Sequence, residues 1–300
     1  MPVVSYLLRP DVQASPVRLM ARRVRLGVEQ RLGSPDPASE RTFFWAGGAL
    51  TARMSLEDNI GRALYLYDVY EWPTALTVAV LARPGTMYID VGAHVGSYAT
   101  LGALAVGPTG RVLAFEPDEA NRSRLERHVR LNNLPNVEVF DHGLGDDSGK
   151  VSMVRPVATN SGMTRTARTG ETPDFSMQVK RLDDVADSLS GSRVSVMKID
   201  VEGAEIGVVR GASRLIRSDQ PFIVFEENDP VCGAHLVEEF GYSLYAIRQS
   251  GYRDLAQASM RESRDQTMAP NVLAVPPGEQ PPHLPKPAQA WPHLNRRRRN

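Results

Sequence analysis

The chain has a single cysteine, Cys232, in 300 residues, which excludes an intrachain disulfide framework and any cysteine-rich zinc site. Six histidines leave little scope for a multi-histidine metal cluster. Long apolar runs are missing: no stretch approaches the roughly 18 uninterrupted apolar residues of a membrane span, so no transmembrane segment is expected. Net charge is missing too. The 35 Lys plus Arg balance 35 Asp plus Glu. That argues against a surface that gathers polyphosphates by bulk attraction, and no nucleic-acid partner is expected. The N-terminal segment is rich in arginine but lacks the apolar core of a signal peptide, and a cytoplasmic location is the expectation. What is present is ordinary globular material. Apolar residues make up 42% and charged residues 23%, enough for a sizeable core and against wholesale disorder. The length suits one large domain or two small ones.

Composition divides the chain into a basic zone over 1–41, an alternating middle from about 42 to 276 and a proline- and arginine-rich tail; with a lead-in running to 57, the expected domain spans 58–276 and the tail 277–300. In the first zone Val17, Met20, Val24 and Val28 recur at helical spacing among Arg18, Arg22, Arg23 and Arg25. This predicts a basic amphipathic helix, which packs its stripe on the body more readily than it meets an acidic partner or a membrane. Prolines from Pro276 to Pro292, followed by Arg296 to Arg299, predict a mobile end.

The body alternates strand-like and helix-like segments. Strands are expected at 86–91, 111–115, 137–141, 194–199, 222–225, 242–247 and 271–275, with helices over 97–106, 121–133 and 204–217. Near-continuous Val/Ile/Leu/Phe runs separated by helices are what a parallel sheet covered on both faces requires, so the expected class is doubly wound α/β. If the fourth strand is regular, Val194, Val196 and the stem of Lys198 share one face and Ser195, Met197 and Ile199 the other.

Ligands of such sheets bind beyond the carboxyl ends of the strands. The first strand ends in Asp90-Val-Gly92-Ala-His94-Val-Gly96-Ser97. Gly92 permits a sharp turn and close approach to a ligand, and Gly96 opens the helix. A dinucleotide fingerprint needs glycine where this chain has His94 and Ser97, so a pyrophosphate is disfavoured. A carboxylate at Asp90 repels phosphate but suits a ligand with an ammonium group, such as S-adenosylmethionine; capping of the next helix explains it equally well. Glu116 ends the second strand, where nucleoside-binding α/β domains place the acid that accepts both ribose hydroxyls, although a helix-starting Glu often sits there too. Asp146, in Gly143-Leu-Gly145-Asp146, lies where an adenine edge would be, or in a turn. The fourth strand ends Lys198-Ile-Asp200-Val-Glu202-Gly203-Ala-Glu205 and the fifth ends Phe225-Glu226-Glu227-Asn228. Buried acids at a strand end require a cation, whether Lys198, a sulfonium ligand or a metal ion. Asp200 and Glu226 could share a magnesium ion, but no ligand spacing demands one.

Asp90-Val-Gly-Ala-His-Val-Gly96, Phe115-Glu-Pro117, Gly143-Leu-Gly-Asp146, Arg181-Leu-Asp-Asp184 and Lys198-Ile-Asp-Val-Glu-Gly-Ala-Glu205, in this order, resemble the FkbM-type methyltransferase family over about Asp58 to Pro276. The resemblance implies a seven-stranded, mostly parallel class I methyltransferase sheet with its last strand antiparallel, and S-adenosyl-L-methionine as cofactor. It implies that Asp90 and Gly92 hold the methionine part, with Glu71 a weaker candidate for that end, that Glu116 holds the ribose and Asp146 the adenine side, and that Gly96 also belongs to the cofactor-binding set. Asp200 would stand next to the reacting methyl. His94 replaces the family's usual Asn. Asn160-Ser161-Gly162 resembles the family's loop near the substrate mouth. The implied reaction is methyl transfer to a small-molecule acceptor, a hydroxyl of a sugar or secondary metabolite, with Asp200, Glu226 and His94 as candidate bases. Two rivals are a nicotinamide-dependent oxidoreductase, disfavoured by His94 and Ser97, and a non-catalytic S-adenosylmethionine-binding scaffold.

Overall fold

Met87–Val91 is apolar but for Asp90, and such a strand is stable only where both of its faces are covered. In the computed structural model, which describes residues 40–154, 165–167, 170–187, 192–227, 230–248, 251–256 and 271–283, every residue of this strand is buried. The expected N-terminal helix, Asn160-Ser161-Gly162, Asn228 and the terminal arginines lie outside the described residues.

Among the described residues a hairpin comes first in chain order, β1 (Arg41–Trp45) and β2 (Leu50–Met54), then helices α1 (Asn59–Tyr67) and α2 (Trp72–Leu81). The central strand is β3 (Met87–Val91), followed by α3 (Ser97–Val106), β4 (Arg111–Phe115), α4 (Glu119–Leu131) and β5 (Val137–Phe140). A small second sheet holds β6 (Gly143–Leu144), β7 (Gly149–Val154), β8 (Arg165–Thr166) and β9 (Phe175–Lys180). Next come α5 (Leu182–Asp187), β10 (Val194–Ile199), α6 (Glu205–Gly211), α7 (Ser213–Asp219) and β11 (Phe222–Glu226). The last elements are α8 (Pro230–Phe240), β12 (Ser243–Arg248), β13 (Gly251–Asp254) and β14 (Asn271–Val275).

The main sheet runs β13-β12-β14-β11-β10-β3-β4-β5. Strands β5, β4, β3, β10 and β11 are parallel, and β14 is antiparallel to both β11 and β12. This is the expected seven-stranded, mostly parallel sheet with its last strand antiparallel, extended at one edge by β13. The order reverses at the β10–β3 junction, since chain connections leave β3 toward β4 on one side and reach β10 on the other. Crossovers diverge there, and in doubly wound sheets ligands bind outside the carboxyl ends of the strands at such a point.

Two cores cover the sheet. Tyr88, Ala114, Val196 and Val224 face α2, α3 and the hairpin, while Ile89, Leu113, Met197 and Phe225 face the side of α6, α7 and α8. The hairpin had no counterpart among the expected strands. Phe43, Trp45, Leu50, Ala52 and Met54 alternate inward and join the first core. The side-chain amide of Asn132 then grips the Thr51 backbone, accepting from its N–H at 2.6 Å and donating to its carbonyl at 2.8 Å.

Two expectations need correction. Val194 does not share a face with Val196, because the pairing with β3 slips between them and Ser195 is the extra residue of a bulge. Val194 therefore joins Met197 and Ile199 in the second core. The single helix expected over 204–217 is two, α6 and α7, separated at Ala212. The break is held from afar: the buried Asp183 carboxylate accepts from the Arg214 and Leu215 amides at 2.9 and 3.0 Å, capping α7 as an N-cap side chain would. Among the described residues no helix is long and apolar enough to cross a membrane.

Candidate active site

The glycine at the β3 tip is forced by packing. Gly92 has φ +78°, and a Cβ there would lie 1.9 Å from the Asp200 carbonyl oxygen. No side chain fits, so the β3 turn sits directly against the end of β10. Gly96, at φ +85°, is similarly pressed on Leu125 of α4, 2.3 Å from where a Cβ would stand. Between them His94 adopts φ +51°, and its backbone N–H donates to Glu116 Oε2 at 2.8 Å. The loop thus delivers Asp90 on one side and Glu116 on the other.

Asp90 is completely buried, and neither of its oxygens meets hydrogen-bond geometry with a partner. The Tyr88 hydroxyl and the Ala99 amide lie near enough to favour its charged form, but not to satisfy it. Burial pushes its carboxyl up to about 6, against the opposing pull of Lys198. A desolvated carboxylate in this condition is costly unless a donor or a cation reaches it.

Lys198 is the cation at hand. It stands opposite Asp90 in the β10–β3 register and is 2% exposed. Its Nζ lies 2.8 Å from Asp200 Oδ2 and 4.5 Å from the centre of the Tyr98 ring. Burial works against its charge, but Asp200 and Asp90 outweigh burial and raise its pKa above the usual lysine value. Tyr98 turns its hydroxyl to Glu71 Oε2 at 2.9 Å, and the same oxygen accepts from Asn271 Nδ2 at 3.2 Å. Asn271 in turn pairs with Glu226 across β14 and β11. Asp90, Asp200, Glu71 and Glu226 are therefore parts of one assembly at one rim of the sheet.

Glu116 is 6% exposed, with Oε2 on the His94 amide and Oε1 on the Asp118 amide at 2.9 Å. Burial raises its carboxyl to about 7 despite these two donors. Glu202, at φ +52°, joins Asp200 and Glu226 in a trio whose carboxylate oxygens lie within 4.8 Å of one another. Burial first, then Glu226 and Asp200, push Glu202 up to about 7. Carboxylates gathered this closely are common without an ion, so the trio by itself carries no metal assignment. The His94 imidazole is held below its ordinary pKa by burial, with Asp58 and Asp200 opposing.

The family model for the methyltransferase FkbM domain matches residues 90–253, more than half of the chain. The chain belongs to the FkbM methyltransferase family. Among curated relatives, methyltransferase 1 of Beauveria bassiana is 29% identical over 144 residues, covering 41% of this chain and 57% of that protein. The hexuronic acid methyltransferase AglP of Haloferax volcanii is 28% identical over 141 residues, covering 46% and 54% respectively. The AMB antimetabolite synthetase AmbE of Pseudomonas aeruginosa is 26% identical over 258 residues, 73% of this chain but 12% of its own length. The chain thus spans little more than half of these relatives at most. Among solved structures, the FkbM methyltransferase of Methylobacillus flagellatus superposes with TM-score 0.42 at 16% identity, covering 70% of this chain and 52% of that one.

Of the residues nominated for the FkbM chemistry, Asp146 stands apart. It is exposed on the loop after β6, its carbonyl accepts from Arg181 at 2.7 Å, and its carboxylate lies beside Gly207 of α6. No described contact ties its side chain to Glu116 or Asp90. Tyr98, Asn271 and Glu202 were given no role from the sequence, although Glu202 stood among the acids at the fourth strand end. Glu202 had a local signal, two positions beyond Asp200; Tyr98 and Asn271 had none, because only folding brings them to Glu71.

Proposed function

We propose that this FkbM-family chain is an S-adenosylmethionine-dependent O-methyltransferase acting on a hydroxyl of a small molecule, a sugar or secondary metabolite. The carrying observation is Asp90, a fully buried carboxylate with two unsatisfied oxygens beside a glycine turn at the strand-order switch. Such a group fits a ligand that brings a cationic donor and no phosphate. When bound, S-adenosylmethionine supplies a methyl group activated by a positively charged sulfur.

On this reading Asp90 takes the ammonium of the methionine part, with Gly92 and Gly96 allowing close backbone approach. Glu71 reaches the same end through its second oxygen, since Oε2 is already engaged by Tyr98 and Asn271. Glu116, held rigid by two backbone amides, accepts from the ribose hydroxyls. Asp146 remains the proposed adenine-side contact, reached only if the exposed loop carries it inward.

The acceptor's hydroxyl proton must go to a base as the new bond forms. Asp200, Glu226 and His94 are the nominated groups, and Lys198 already occupies Asp200 Oδ2. Glu226 with its neighbour Glu202 is better suited: a carboxylate oxygen of each lies within 4.8 Å of the other, and Glu202, raised to about 7 by burial and then by Glu226, can hold a proton near neutral pH. An acceptor of the sugar class is supported by the relative named as a hexuronic acid methyltransferase, a substrate that offers a carboxylate as well as hydroxyls.

The test is calorimetric titration with S-adenosylhomocysteine, followed by radiolabelled methyl transfer into hexuronic acids and other hydroxylated metabolites. Binding together with labelled methyl ether is expected. Binding of a nicotinamide dinucleotide instead of S-adenosylhomocysteine would refute the assignment, and label in an ester or amine would refute its oxygen-ether part.

A further inference from the structure

A lysine is seldom buried to 2% exposure in a sheet interior without a task, and Lys198 pairs with Asp200 while standing in register with Asp90. Its partner Asp200 is 38% exposed and can be solvated on its own. Asp90 cannot. It has no solvent, no hydrogen bond of proper geometry, and one cation opposite it in the neighbouring strand.

We propose that Lys198 is a positioning residue for cofactor binding: an internal counter-charge that keeps Asp90 ionised while the site is empty and fixes Asp200 beside it. The proposal rests on the methyltransferase reading and adds to it a residue that touches no ligand. Its geometry has three supports. The 2.8 Å ion pair and the Tyr98 ring hold Nζ in place from β10 and α3. The Lys198–Asp90 register puts both side chains on the same face of the sheet, as Tyr88, Ala114 and Val196 on that face confirm. The contact of Gly92 with the Asp200 backbone closes the assembly from the loop.

The charged and titratable groups facing Asp90 are Lys198 and Asp200 from β10 and Tyr88 from its own strand, with the Ala99 amide from α3. Lys198 is the one cation among them. Without it, the Asp90 carboxyl holds its proton to higher pH, and a protonated Asp90 cannot pair with an ammonium group. A residue that merely fills space would lower affinity equally at every pH.

The experiment titrates S-adenosylhomocysteine, which carries the same ammonium group, into the full chain between about pH 5 and pH 8.5. Wild type is expected to lose affinity as pH falls, first through about 7 as Glu116 takes up its proton and again through about 6 as Asp90 does. Lys198→Met is expected to show the Asp90 loss at a midpoint at least one unit higher, so that affinity falls about twofold at pH 7, approaches a tenfold loss below about pH 6 and recovers at alkaline pH. Lys198→Met together with Asp90→Asn is expected to remove the Asp90 inflection, leaving only that of Glu116 near 7, and to melt above Lys198→Met alone, because the unpaired buried charge is gone. An unmoved midpoint in Lys198→Met overturns the proposal. If Lys198→Met does not fold, the double variant decides: folding supports the counter-charge role, and failure to fold overturns it. A wild-type chain that binds no S-adenosylhomocysteine sinks the methyltransferase reading itself, and the proposal with it.

Discussion

Replacing Glu116 with glutamine should make the protein relatively more stable at high pH while weakening its hold on the cofactor. The carboxyl is 6% exposed and raised from an ordinary 4.5 to about 7. The folded state therefore binds this proton more tightly than the unfolded chain does. Its stabilising contribution is complete below about pH 4.5 and is lost as pH rises through about 7. A rise of this size corresponds to about 3 kcal/mol of stability lost across that window. Glutamine removes the titration but keeps one acceptor oxygen for the two amides of His94 and Asp118. The amide left facing an NH2 group costs about 1–3 kcal/mol at all pH values. Denaturant unfolding of both proteins between about pH 4.5 and pH 8 should show the variant weaker at the acid end and gaining on wild type by about 3 kcal/mol toward the alkaline end. Buried histidines such as His128, whose pKa is lowered by burial, act in the opposite direction below neutrality, but they cancel in the difference. S-adenosylhomocysteine affinity should drop about ten- to a hundredfold at neutral pH through loss of charge-assisted hydrogen bonds. Parallel stability curves, or unchanged affinity in the folded variant, would refute the reasoning.

Asp183→Ala removes both acceptors that cap α7 from a distance and should cost about 2–4 kcal/mol by denaturant unfolding, with S-adenosylhomocysteine affinity unchanged; a neutral substitution would mean that the helix break has another cause. Gly92→Ala forces a left-handed residue, worth about 1–2 kcal/mol alone, and drives a methyl group into the Asp200 carbonyl. Its melting temperature should fall and cofactor binding should become undetectable, so a wild-type-like variant would contradict the close approach. Glu226→Gln should reduce turnover by about 10²-fold or more while leaving cofactor affinity within twofold, and intact turnover with saturating acceptor would remove it as the base. Chelation with EDTA should leave S-adenosylhomocysteine affinity unchanged, because the proposed cofactor contacts at Asp90 and Glu116 do not involve the acidic trio; a loss of affinity would place a metal at the cofactor end.

The strand ends were legible because they are local. Asp90, Glu116, Asp200 and Glu226 each follow an apolar run, and the run marks where the sheet stops. Spans such as Ser97–Val106, Arg111–Phe115, Val194–Ile199 and Asn271–Val275 agree between pattern and structure for the same reason. The β1–β2 hairpin had a usable local signal in its alternating Phe43, Trp45, Leu50 and Ala52 around Gly47-Gly48, but it lay within the stretch read as a lead-in. The bulge at Ser195 had none, since alternation along one strand does not report a slip against its neighbour.

The amino-acid order alone settled the layering of the domain and which acids stand at its rim, because hydrophobic period and strand termination depend on residues adjacent in the chain. Only the tertiary structure decided how those acids differ. Asp90 is sealed and unsatisfied, Glu116 is gripped by two amides, Asp200 is tied to Lys198, and Asp146 stays in solvent. Those differences come from burial and from partners far away along the chain, and charge in a low-dielectric interior is governed by both.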